Sequence, residues 1–419
     1  MNNTREKNTS EIGNAFGIGS VCIFTYLISY YMRNLLSVVN PTLLSLGTYD
    51  EVSLALLSSA YTIVYAAGQL VNGFIGDYLK PKYMVLAGYA LGGTALLLFP
   101  RVPLGAAQVL CFAVLGFGFS MLRGPLVKTI SENTLPHHAR VACTFFSFSC
   151  HVGPLLASLL AMIFQWDALF TFSGFAAYGT AVFSFFMLTF LEKKGIIRPL
   201  DRTSDAKNEQ KKGIAGLLSV FTIPKFVIYL LIGMVAEIAA TSVTFWTTTY
   251  IHQYLLFPED TSRLIFSAMA IIKSVCPFCC LFLFRLFGEN DIRVMRLVFT
   301  SGIGMFLGMY FTPASLPWLN ILFFLLALSS ISIASSVLWS IYVPSLGKSG
   351  KVSGANGVLD CSGYIGATAA TSVFAFVKTT VERNTGSASD GWHTLILVWC
   401  GVAVCGLVIT LAASGKKRK

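Results

Sequence analysis

Of the 419 residues, 55% are hydrophobic and only 12% are charged, and 30 Lys+Arg against 19 Asp+Glu leave a formal net charge of +11. A water-soluble chain of this length needs far more charge to cover its surface, so two or three soluble domains are excluded and a polytopic membrane protein is indicated. The basic residues sit in short loops between apolar stretches, which makes the positive charge topological and argues against a nucleic-acid partner.

The chain opens on a polar stretch, Met1 to Asn14, without the basic-then-apolar order of a cleaved signal peptide, so the first apolar run is expected to stay as a membrane helix. A crossing needs about 20 mostly apolar residues. Twelve such stretches follow, at 15–40, 52–76, 83–100, 104–128, 140–164, 167–190, 225–251, 262–286, 293–312, 316–344, 351–378 and 391–413. The 34 Phe and 36 Gly fit aromatic bulk facing lipid and close helix approach. The longest internal polar interval, Leu191 to Gly213, carries Lys193, Lys194, Arg198, Arg202, Lys207, Lys211 and Lys212 and divides the spans six and six. The prediction is an all-α membrane protein: a six-helix bundle over 1–190, a cytosolic linker over 191–224 and a second six-helix bundle over 225–419.

An even number of spans puts both ends on one side. With that side cytosolic, the inner loops and tails hold Arg5, Lys7, Lys80, Lys82, Lys128, Arg140, the linker cations and the terminal Lys416, Lys417, Arg418 and Lys419, while Arg101, Arg263, Lys378 and Arg383 fall outside. This bias orients both termini to the cytosol. The Asn-x-Ser/Thr triplets at Asn2 and Asn8 are then expected to stay unglycosylated. The cysteines lie almost wholly in apolar runs, and Cys276, Cys279 and Cys280 have no His or Asp neighbours. They read as buried thiols, and no metal or cofactor is predicted.

After the second span the chain reads Gly73-Phe74-Ile75-Gly76-Asp77-Tyr78-Leu79-Lys80-Pro81-Lys82. Glycines there allow tight helix packing, and an acid followed by cations ties neighbouring helix ends electrostatically, so Gly73, Asp77, Lys80 and Lys82 are candidate conformational residues. The stretch resembles the major facilitator loop motif Gly-x-x-x-Asp-Arg-x-Gly-Arg-Arg, with Tyr78 in place of the usual Arg. In its Pro81-Lys82 ending it resembles the organophosphate:phosphate antiporter branch, the glycerol-3-phosphate transporter relatives. Tyr30, Arg33 and Pro41 in span one, Gly124-Pro125, Lys128 and Arg140 between spans four and five, and Ala355-Asn356-Gly357 with Gly363-Tyr364-Ile365-Gly366 in span eleven follow that family's order. Phe287-Gly288-Glu289-Asn290-Asp291-Ile292-Arg293 is a worn copy of the Asp77 loop. The resemblance implies two duplicated halves and a central substrate site reached by alternating access.

Five ionisable residues sit well inside predicted spans: Arg33, Arg123, Glu237, Lys273 and Asp360. Each is costly in lipid and is expected to face a cavity or a partner. Arg33 lies about 10 Å from the outer surface at 1.5 Å per residue. The resemblance gives it the role of gripping the substrate anion, which suits a guanidinium, always charged and carrying a planar fork of donors. The family's other anion ligands fall on Ala240 and Gln69, and its fifth-span His falls on His151 or Cys150. With the paired-Arg clamp absent, a monocarboxylate or acid sugar fits better than a phosphate ester. His151 stands open between ligand and packing. Tyr30, Gln69 and Trp246 are the candidates for the rest of the cavity, among a wider polar and aromatic set that includes Tyr31, Asn34, Tyr65, Asn72, Thr247, Thr248, Trp339 and Tyr364.

Arg123 sits about 28 Å below the outer face, where attracting anions, pairing with a carboxylate and snorkelling to the inner interface all stay open. Glu237 and Lys273 lie at roughly matching depths, so a bridge between them is expected. The alternative is that Glu237 or Asp360 carries a coupling proton, with Lys273 involved. No H-E-x-x-H, P-loop or nucleophile-elbow pattern supports an enzyme. The expectation is a secondary transporter of a small organic anion (carboxylate, acid sugar or sugar phosphate), with a proton or counter-anion as coupling partner. It is expected to act as a monomer in the cell or inner membrane. The competing readings are a non-transporting solute sensor and a proton symporter of the anion:cation symporter type.

Overall fold

The computed structural model describes residues 2–47, 49–198 and 218–414. Much of the predicted linker, with Arg202, Lys207, Lys211 and Lys212, and the terminal cations Lys416, Lys417, Arg418 and Lys419 lie outside the described residues. Among the described residues the secondary structure is entirely helical. The helices are α1 (Asn2–Arg33), α2 (Leu35–Ser45), α3 (Glu51–Tyr78), α4 (Pro81–Leu98), α5 (Ala106–Ser120), α6 (Arg123–Asn133), α7 (Pro136–Ala161) and α8 (Trp166–Lys193). There follow α9 (Phe226–Gln253), α10 (Glu259–Lys273), α11 (Cys276–Leu286), α12 (Asp291–Phe311), α13 (Pro317–Val337), α14 (Val352–Thr385) and α15 (Ala388–Ser414).

Among the described residues, 11 stretches are helical, long and apolar enough to cross a membrane. They match eleven of the twelve predicted spans, usually within a few residues. The remaining one, 351–378, is α14, a helix of 34 residues. It carries Asn356, Asp360, Lys378, Glu382 and Arg383 along its length.

Three predicted spans are each two helices in sequence, and a fourth contains a π turn. The break at Asn34 has the Asn34 side chain donating to the Tyr30 carbonyl at 2.7 Å, a local bond that competes with the helix ladder. The break at Met121–Leu122 precedes Pro125, and the break at Ser274–Val275 precedes Pro277. In each case proline withdraws the N–H that the carbonyl four residues earlier would use. Pro344 does the same to Ser340, inside the π turn Leu338–Tyr342.

The chain divides into two compact units. The first comprises Met1–Ile223 with Val343–Cys361, and the second comprises Pro224–Tyr342 with Ser362–Lys419. The stretch Val343–Cys361, assigned from sequence to the second bundle, therefore groups with the first unit. Small residues explain this grouping. A Cβ on Gly73 would stand 2.8 Å from the Ser353 carbonyl oxygen and 2.9 Å from the Gly357 Cα, and one on Gly347 would meet Ser131 backbone. Inside the first unit, Phe99, Phe112, Phe170 and Trp166 form an aromatic core where α4, α5 and α8 meet. Inside the second, Trp399 stacks on Phe324 at 6.0 Å and lies tilted against Phe306.

Candidate functional site

In the first unit Arg33 is the last residue of α1, at the Asn34 break. Its guanidinium carbon lies 4.6 Å from the ring centroid of Tyr65, 5.3 Å from that of Tyr30 and 5.5 Å from that of Tyr61. All three rings are within cation–π range. Tyr61 and Tyr65 are one turn apart on α3 and stack on each other at 5.6 Å. Tyr30 is fixed from behind by α7, where a Cβ on Gly153 would stand 2.5 Å from the Tyr30 Cβ. Tyr26 adds an edge contact to Tyr30 at 5.0 Å and stacks on Phe146 at 3.9 Å.

Gln69 continues the α3 face of Tyr61 and Tyr65 at the same four-residue spacing. It is fully buried, and neither end of its amide has a hydrogen-bond partner. The same holds for Asn356 of α14. One turn further along α3, Asn72 donates to Ser120 at 2.7 Å. His151 is half-buried on α7, with its ring 6.3 Å from Phe148 and two residues before Gly153.

Of the three fates open to Arg123, the structure shows pairing. Its Nη1 donates to the Asp360 carboxylate at 2.7 Å, with side-chain exposures of 11% and 4%. Asp77 caps α14, accepting from the Ser353 N–H at 2.9 Å and the Gly354 N–H at 2.8 Å. A carboxylate at a helix N-terminus satisfies orphan donors and meets the positive end of the helix dipole. Lys128 donates to the Asp77 carbonyl at 2.6 Å. Lys80 and Lys82 both bind Glu192 of α8, Lys82 at 2.5 Å.

In the second unit Glu237 is half-buried on α9. It does not bridge to Lys273. Its Oε1 accepts from Ser335 Oγ at 2.6 Å and from Trp339 Nε1 at 3.2 Å. Lys273 donates instead to Thr244 at 3.1 Å. Matching depth along two helices fixed height but not azimuth, and it is Trp339 of the π turn that donates to the carboxylate. Gly363 lies against Glu237, where a Cβ would be 3.0 Å from its Cγ.

Trp246 packs edge-on to Trp392 at 5.8 Å. Lys378 sits over the Trp392 face at 4.3 Å, is bound to Glu382 at 2.6 Å and is only 6% exposed. Sequence had placed Lys378 in an outer loop; it is a buried lysine on α14. Beside it a cavity of about 870 Å³ is bordered by His252, Lys378 and Glu382.

The sequence reading passed over Tyr61, Glu192 and Ser335. Tyr61 was recoverable, being four residues before Tyr65 and eight before Gln69. Glu192 and Ser335 carry no local signal, because their partners are 112 and 98 residues away in sequence.

The Major Facilitator Superfamily model matches residues 22–368, and the chain belongs to that superfamily. It is a polytopic integral membrane protein. An uncharacterised major-facilitator-type transporter of Mycobacterium tuberculosis is 26% identical over 157 residues, which cover 35% of this chain. The match spans only 27% of the length of that curated relative. Among solved structures, the E. coli fucose:proton symporter superposes with a TM-score of 0.73 at 14% identity, covering 95% of this chain and 98% of that one. The human organic anion transporter MFSD10 gives a TM-score of 0.72 at 14% identity, covering 94% and 99%. At such identities the likeness concerns the fold.

Proposed function

We propose that the protein transports a small organic anion by alternating access, with Arg33 as the principal anion ligand. The observation that carries this reading is a guanidinium set among three tyrosine rings at a helix break within a membrane-embedded unit. Tyr30, Gln69 and His151 contribute from the same unit. Gln69 has polar groups to offer a ligand, since a buried amide with no partner costs about 1–3 kcal/mol that a ligand hydroxyl or carboxylate would offset. The motif resemblance favours ancestry in the organophosphate:phosphate antiporter family. The single strong cation favours a carboxylate or acid sugar over a phosphate ester. Gly73, Asp77, Lys80, Lys82 and Arg123 are assigned to the conformational cycle. The loop charges favour an inner-membrane protein with both termini in the cytosol.

The test is counterflow in proteoliposomes loaded with phosphate esters, hexuronates or monocarboxylates. Exchange of carboxylates that Arg33→Ala abolishes is the expected result. Carboxylate exchange unaffected by Arg33→Ala overturns the assignment.

Proton symport is the second reading, and Glu237 favours it. Among the described residues its carboxylate is held by neutral donors only, so gaining a proton breaks no ion pair with them. Asp360, in contrast, is bound to Arg123, which makes Glu237 the first candidate proton carrier. The expected signature is that Glu237→Gln keeps counterflow and loses stimulation by an inward proton gradient.

A further inference from the structure

Lys378 of α14 is only 6% exposed, yet it borders a cavity of about 870 Å³. A buried ammonium is costly unless its three N–H groups are answered. Among the described residues Lys378 has one acceptor, Glu382 Oε1 at 2.6 Å, and its charge otherwise rests on the Trp392 ring at 4.3 Å and the Trp246 ring at 5.7 Å. The indole N–H groups of Trp246 and Trp392 are themselves buried without an acceptor among the described residues. The cluster therefore holds more donors than acceptors, an imbalance that buried polar groups rarely keep. Glu382 has 24% of its side chain exposed and accepts through Oε1, which leaves Oε2 to a donor arriving through the cavity.

The cavity lies wholly in the second unit, between the last turn of α9 with His252 and Gln253, the loop through Pro258, and Ala388 at the start of α15. The first turn of α15 adds the positive end of a helix dipole to the ammonium, and the volume is that of a small-molecule site. We infer that this cavity is a second solute site, one that does not use Arg33, and that it takes a hydroxylated carboxylate of the acid-sugar type. Lys378 receives the carboxylate, and Glu382 Oε2 accepts from a hydroxyl of the same molecule. The pair sets the class. A plain carboxylate is attracted by Lys378 and repelled by Glu382, whereas a ligand that also brings a hydroxyl turns the repelling group into a hydrogen-bond acceptor. A neutral polyol has nothing for the ammonium to neutralise.

The experiment is calorimetric titration of the full chain in detergent with gluconate, butyrate and sorbitol. Wild type is expected to bind gluconate at two sites and Arg33→Ala at one. In Arg33→Ala the remaining site should prefer gluconate to butyrate about tenfold and should not bind sorbitol measurably. Adding Lys378→Met should weaken gluconate about tenfold or more. Adding Glu382→Gln instead frees the ammonium and removes the repulsion, so butyrate should gain and the preference for gluconate should shrink to within about threefold. That variant also carries the test should Lys378→Met not fold. Three results overturn the inference: no gluconate binding in Arg33→Ala, gluconate binding that Lys378→Met leaves unchanged, or a full preference for gluconate in Glu382→Gln, since a purely structural role of the pair does not move that preference. Failure of the Arg33 reading looks different: wild type and Arg33→Ala then bind gluconate at the same number of sites, while Lys378→Met still weakens binding.

Discussion

Arg33 in the first unit and Glu237 in the second are both ionisable residues on membrane helices, and their surroundings differ in kind. Arg33 is set among aromatic planes, whereas Glu237 is held by a hydroxyl and an indole N–H. Ring faces ease the Arg33 cation and neutral donors hold the Glu237 carboxylate. Arg123 and Asp360 show the other solution, mutual neutralisation at 2.7 Å. A neutralised pair is poor at recruiting a ligand, because opening it exposes two charges. A charge eased by dipoles and quadrupoles keeps a field that an anion or a proton can answer. The proposed anion and proton sites thus differ from the Arg123–Asp360 pair in how charge is compensated.

The strongest way to break that distinction is to remove one cation of each kind. Arg33→Ala is expected to lower transport about a hundredfold, from the loss of a charge-assisted bond, with little change in thermal unfolding in detergent. Arg123→Ala leaves Asp360 buried without its guanidinium, and losing one member of a buried pair costs about 3–5 kcal/mol. Its melting temperature should fall clearly. The double variant Arg123→Leu with Asp360→Leu should recover much of that loss. If Arg33→Ala destabilises as much as Arg123→Ala, the separation of roles fails.

Gly73 gives the next effect. A methyl there meets backbone atoms of Ser353 and Gly357, which cannot turn aside, so Gly73→Ala should cost about 1–3 kcal/mol. Gly179→Ala, where a Cβ meets nothing within 4 Å, should be neutral or slightly stabilising. Equal melting points for the two would show that the small-residue contact between α3 and α14 does not matter. Glu237→Gln is smaller still. The amide oxygen can accept from both Ser335 and Trp339, so stability should change by about 1 kcal/mol or less, and the effect should appear in proton-gradient response alone.

The spans were legible because hydropathy and length report on lipid, and lipid acts on each helix separately. The five intramembrane charges were legible for the same reason, being costly wherever they fall. Pairing was not legible, because it depends on helix azimuth. Glu237 and Lys273 agree in depth yet turn to different partners. The breaks beside Arg33, Arg123 and Lys273 were half legible: Pro125 and Pro277 announce two of them, while Asn34 looks like any polar residue. That all three cations sit at breaks is a structural result. Interruption frees main-chain groups and lets a long side chain leave the helix surface at a new angle.

The smallest effect concerns the α3–α4 loop. Lys80 and Lys82 share one acceptor, Glu192, with side-chain exposures of 40% and 12% for the lysines and 19% for the acid. Partly exposed pairs of this kind contribute roughly 0–1 kcal/mol and weaken with salt. Lys80→Ala, at the more exposed partner, should be nearly silent in thermal unfolding, because Lys82 still satisfies Glu192. Lys82→Ala should cost slightly more, and the double variant should cost more than the sum of the singles, since only then does Glu192 lose both cations. Raising the salt concentration should shrink all three differences. Additive, salt-independent losses would mean that the lysines act by packing along α4 and α8, for which Lys82 has contacts within 6 Å of the Tyr83 and Phe185 rings.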